Sequence, residues 1–184
     1  MFEFLRPKKS AEFIVLVGLV DTLCPLVDSH NSSQIIELLD GSGIDAVTFR
    51  YEHALLVGCG YLMSLEAAKQ SGYIDERQMN YLANLFLEKI KIAAVQPIRE
   101  TPYAAVPTAD VFSDLVVQRL ERYVYDIDDN LDSSAVINSV ALKFSRLCGA
   151  EEDYGLMRYV QLLFLVQIPG FIDTIKSNRI IFPD

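Results

Sequence analysis

The residues whose types and spacing most suggest chemistry are the acidic run Asp126-Ile127-Asp128-Asp129-Asn130-Leu131-Asp132. Carboxylates at alternate positions are what a calcium loop offers its ion. Such a loop also needs a glycine at its sharp turn and a bidentate glutamate at its twelfth position. Here the twelfth position is Ile137 counted from Asp126 and Ser139 counted from Asp128, and the glycine is missing. An EF-hand is excluded. A second acidic cluster, Glu151-Glu152-Asp153, lies beyond the next expected helix, roughly 24 Å away for a helix rising 1.5 Å per residue. The two clusters therefore cannot share a metal ion, and neither a metal nor a cofactor is expected. They can share one acidic side of the molecule, and Asp126, Asp128, Asp129, Asp132, Glu151, Glu152 and Asp153 are the expected partner-binding residues.

As Asp128-Asp129-Asn130-Leu131-Asp132, the first run resembles the aspartate-rich DDxxD motif of isoprenoid synthases, an all-α family that holds magnesium against a diphosphate with it. The resemblance spans five residues and implies a carboxylate and divalent-metal site. No second metal-binding motif accompanies it, and the run falls at a helix boundary instead of inside a helix wall. Capping accounts for every residue of it: Asp132 or Ser133 caps the following helix, and the other carboxylates sit near its positive end.

Other catalytic candidates are sparse. His30 lies in the polar turn Ser29-His30-Asn31-Ser32, and His53 follows Glu52 on an apolar helix with no accompanying nucleophile. A packed or surface histidine, not a general base, is the expectation. Cys24, Cys59 and Cys148 stand apart among apolar neighbours, with no CxxC pair and an odd count, as buried thiols in a reducing compartment do. No GxxxxGK[ST], GxGxxG, GxSxG or HExxH string occurs. No catalytic residue is assigned.

The elements that must position these residues are helices. Apolar residues recur at helical spacing throughout, with no sustained alternation of the kind a half-buried strand needs. The expectation is an all-α, single-domain bundle of about seven helices. They run over about residues 10–27, 33–39, 45–70, 75–95, from 108 onward, 133–148 and 152–168. Asp75 and Gln78 form a capping box, Ile74 and Met79 a hydrophobic staple, and Gly149 ends the sixth helix. In the third helix Gly58 and Gly60, with Ala54, Ser64 and Ala68, make a small-residue face suited to close helix packing. Val111, Leu115, Val116, Leu120 and Tyr123 should turn the fifth helix inward. The seventh is apolar nearly all round, so it is expected at the centre and to break at Pro169-Gly170. Gln96 to Pro107 carries three prolines and reads as a strap joining halves at 10–95 and 108–176.

Composition narrows the function. Lysine plus arginine number 16 against 25 acidic residues, for a net charge of −9. A nucleic-acid binder needs a basic footprint, and only Arg6-Pro7-Lys8-Lys9 offers one, so no nucleic acid is expected. The apolar run Phe13 to Val20 and the stretch Tyr159 to Ile172 are both too short to span a bilayer, and the first lacks a cleavage site. A cytoplasmic location and no membrane span are expected. Hydrophobic residues at 51% in a chain with 22% charge point to a large core or a buried interface. The leading expectation is an acidic helical protein-binding module of the immunity, antitoxin or inhibitor type, facing a partner protein with a basic surface. A small helical enzyme or ligand-binding domain with a carboxylate and metal site is the alternative, and a structural homo-oligomer the second alternative.

Overall fold

The computed structural model describes residues 39–40, 43–91, 109–125, 133–151 and 153–177, and all its elements are helical. Five helical rods stand among these residues. They are α1 (Ala46–Gln70), α2 (Glu76–Ile90), α3 (Ala109–Val124), α4 (Ser133–Leu147), and a last rod in three parts. That rod begins as α5 (Tyr154–Leu162), loosens into a π-helical stretch (Leu163–Gln167), and continues as α6 (Ile168–Ser177). The helices expected over 10–27 and 33–38, the acidic run 126–132 and the proline-rich strap 96–107 lie outside the described residues.

Local chemistry fixes the ends. Asp45 caps α1, its carboxylate accepting from Thr48 N at 2.7 Å and from the Thr48 hydroxyl at 2.9 Å. These bonds favour the ionised form and hold the Asp45 carboxyl below its ordinary value. The capping box of α2 is formed as expected: Gln78 N donates to Asp75 Oδ1 at 2.8 Å, and Asp75 N donates to Gln78 Oε1 at 3.0 Å. Ile74 is buried and Met79 packs against the core, as a staple requires. At the end of α4, Gly149 takes φ +82°. Gly149 N donates to Arg146 O and Ala150 N to Ser145 O, the paired bonds of a Schellman motif. Lys143 of α4 meanwhile donates to Tyr123 O at 3.1 Å and to Tyr125 O, serving the open carbonyls at the end of α3.

The centre of the bundle is α1, not the C-terminal rod. Every residue from Glu52 to Tyr61 is buried, and α1 packs against α2, α3, α4 and α6. Gly58 shows how this is possible. A Cβ built there would stand 2.9 Å from Val116 Cγ2 and 3.4 Å from Leu87 Cδ2, so α2 and α3 both close onto a position without a side chain. The small-residue face is thus a packing face, and the conformational cost of glycine is offset by contact. On α3 the inward residue of the first turn is Phe112, fully buried, while Val111 is 48% exposed.

The C-terminal rod departs from expectation in two ways. It is only partly buried: Leu156, Val160, Leu163, Phe164, Phe171 and Ile175 face the core, whereas Leu162 is 51% and Leu165 60% exposed. It also passes straight through Pro169. Proline lacks an N–H and its ring crowds the carbonyl four residues back. That carbonyl belongs to Leu165, inside the π-helical stretch, where the wider ladder absorbs the mismatch. The uninterrupted rod makes Tyr154–Asp173 long and apolar enough to cross a bilayer by length and composition alone, with mean hydropathy 1.4 and 33% of it buried. Packed helices of ordinary domains pass the same test.

Candidate functional site

Two features of the described residues carry polar or open chemistry. The first is a buried polar cluster on α1. Glu52 and His53 open a turn whose next residues are Ala54, Leu55, Leu56 and Val57, so both are drawn inside with the helix. Glu52 is 7% exposed, and its Oε1 accepts from Arg119 Nη2 of α3 at 2.7 Å. Burial pushes the Glu52 carboxyl above its ordinary value, with Arg119 and Arg122 pulling it partly back. Glu52 Oε2, Arg119 Nε and Nη1, and the Tyr123 hydroxyl one turn along α3 have no hydrogen-bond partner among the described residues.

His53 is fully buried, stacked on Phe49 at 5.6 Å, and its Nε2 is joined to the Tyr159 hydroxyl of α5 by a hydrogen bond of 2.5 Å. Of the packed and the surface histidine that the sequence leaves open, the fold contains the packed one. Adjacent residues on α1 therefore reach two different helices, Glu52 to α3 and His53 to α5. A buried ion pair is weak support for stability, because desolvation offsets the attraction, but losing one partner of it is costly. The pair links α1 to α3 across 67 residues of sequence.

The thiols nearby are not nucleophiles. Burial pushes Cys148 up to about 12 and raises Cys59 further still, so both stay protonated at neutral pH. Cys59 Sγ lies 3.4 Å from Val116 O, which it reaches because Gly58 lets α3 come close. Cys24 lies outside the described residues.

The second feature is an open groove of about 440 Å³ between α1, α2 and α3. Three helix faces make it. Leu62 and Glu66 come from α1, Met79, Ala83 and Leu87 from α2, and Ser113, Val117 and Leu120 from α3, each set at helical spacing. Small side chains at Ala83 and Ser113 keep it open, while Leu65 and Leu87 floor it. Its rim is polar. Asn80 and Asn84 line one side, and Glu66 is held below its ordinary carboxylate value by a hydrogen bond from Lys69, with the ion pair at 2.8 Å. Val117, on the opposite wall, is 44% exposed.

Of the seven acidic residues expected to bind a partner, Glu151 and Asp153 lie among the described residues. Asp126, Asp128, Asp129, Asp132 and Glu152 lie outside the described residues. Glu151 is exposed in the turn after α4. Asp153 is the N-cap of α5, its Oδ1 accepting from Leu156 N at 2.9 Å while its own N–H donates to Ser145 Oγ at 3.1 Å. Among the described residues, no group of three or more His, Cys, Asp or Glu side chains stands together as a metal ion would need.

Sequence reasoning missed both the Glu52–Arg119 pair and the groove. A signal for the pair was present: Glu52 and His53 directly precede the apolar run Ala54 to Met63, and a helix that buries such a run must bury them with partners. The groove had none, since it depends on where three helices meet. No family model, no curated protein and no solved structure matches this chain.

Proposed function

We propose that this chain is a helical protein-binding module that takes a short apolar segment of a partner protein into the groove between α1, α2 and α3. It acts by binding or occluding that partner, in the manner of an immunity protein, antitoxin or inhibitor. The observation that supports this reading is an apolar groove that the bundle leaves open, with half-exposed Val117 in its wall and the ionised Glu66 on its rim. From Met79 to Leu87 it spans about 12 Å, room for roughly two turns of a partner helix. Basic residues flanking that segment would meet Glu66 and the acidic excess of the whole chain. The reading includes the full bundle of about seven helices in one domain, cytoplasmic in location.

The test is selection of peptides from a random displayed library on the purified protein, followed by binding of the selected peptides to Ala83→Trp and Glu66→Lys variants. The reading expects sequences with apolar anchors four apart and flanking lysine or arginine. Ala83→Trp fills the groove and should weaken them by about tenfold or more. If no peptide is enriched, or if Ala83→Trp binds the selected peptides unchanged, the groove is not a docking site.

A further inference from the structure

The exposed side of the C-terminal rod carries a pattern independent of the groove. Tyr154, Arg158, Leu162, Leu165, Pro169 and Asp173 are all exposed, spaced by three or four residues, and so form one outward stripe across α5, the π-helical stretch and α6. Its apolar members are substantial, with Leu162 at 51% and Leu165 at 60%. Its charged members, Arg158 and Asp173, flank Leu162, Leu165 and Pro169. Among the described residues neither Arg158 nor Asp173 has an ion-pair partner.

The arrangement is self-complementary when read in opposite directions. The midpoint between Arg158 and Asp173 falls between positions 165 and 166. If a second copy of the rod lies antiparallel about that point, Arg158 of each chain faces Asp173 of the other. Leu162 then faces Pro169, and the two Leu165 side chains meet beside the axis. Lys176 falls opposite Gly155, so no like charges are opposed. A parallel pairing would place Arg158 on Arg158 and Asp173 on Asp173, at a cost. We infer that the outer face of the rod is the interface of an antiparallel, two-fold homodimer, with a second copy of this chain as its occupant. An isologous contact of this kind closes on itself.

The charge pairs supply a test that other occupants cannot imitate. The wild-type chain should show concentration-dependent dimerisation by light scattering and sedimentation. Arg158→Asp and Asp173→Arg each oppose two like pairs, and each should raise the dimer dissociation constant by about tenfold or more. Mixing the two variants restores both pairs in the heterodimer, as does combining the substitutions in one chain, so association should return in both cases. Both positions are exposed, and unchanged melting at low concentration verifies the folded monomer. A wild-type chain that stays monomeric at every accessible concentration overturns the inference, as does a dimer indifferent to the swaps. Partition of the wild type and both single variants alike onto phosphatidylcholine vesicles would overturn it too, by making the stripe a lipid-facing surface.

Discussion

Two rods in this chain read as almost equally apolar, yet one is enclosed and the other is bare along one side. From Glu52 to Tyr61, α1 offers no face to solvent, while the rod from Tyr154 to Ser177 leaves Leu162 and Leu165 outside. The difference lies in side-chain size. Ala54, Gly58, Cys59, Gly60, Ser64 and Ala68 let neighbours close on α1 from several directions, as the 2.9 Å approach to Gly58 shows. The C-terminal rod carries leucines and phenylalanines, which pack well against one neighbour and hold others away. Apolarity says that a helix wants burial; small residues say that it can be surrounded.

The largest expected break in this contrast comes from the pair that ties α3 to α1. Arg119→Leu leaves the Glu52 carboxylate buried without its partner and should cost about 3–5 kcal/mol in urea unfolding. The double variant Glu52→Leu with Arg119→Leu should cost clearly less than the sum of the two single ones, because no uncompensated charge remains. Additive losses would mean that the pair does not hold the helices in register.

Next in size is Gly58→Ala. Alanine favours a helix by about 1 kcal/mol over glycine, but overpacking against the stiff Val116 side chain costs about 1–3 kcal/mol. The substitution should therefore destabilise, and Val116→Ala in the same chain should make it favourable. A stabilising Gly58→Ala on its own would contradict the close approach.

Smaller still is the loss of a cap. Asp75→Ala removes the acceptor for Gln78 N and should lower stability by about 1 kcal/mol, whereas a change at exposed Leu165 should leave the monomer within about 0.5 kcal/mol.

The subtlest effect is on pH. Folding raises the Glu52 carboxyl above its ordinary value of 4.5, so the folded chain holds that proton more tightly than the unfolded chain. Stability from this group falls as pH rises from the unfolded value through the folded one. Melting temperature followed across that window should decline in the wild type, and Glu52→Gln should remove this component of the decline.

Where local chemistry decides, the sequence was legible. Asp75 with Gln78 placed the start of α2, and Gly149 the end of α4. What it concealed depends on tertiary geometry. Pro169 reads as a stop because a proline breaks an ideal ladder, and only the wider π-helical turns before it allow the rod to continue. Glu52 belongs to no motif, although the apolar run after it already required its burial, and Arg119 sits 67 residues away from it. Of the two candidate acidic residues among the described ones, Asp153 serves as a helix cap.

The contrast between the enclosed and the bare rod is tested most directly by native-state hydrogen exchange. The account predicts that the slowest amides of the molecule lie in α1 between Glu52 and Tyr61, exchanging only through global unfolding, while amides from Tyr154 to Ser177 open locally at lower free energy. Slowest exchange in the C-terminal rod, with α1 opening locally, would contradict it.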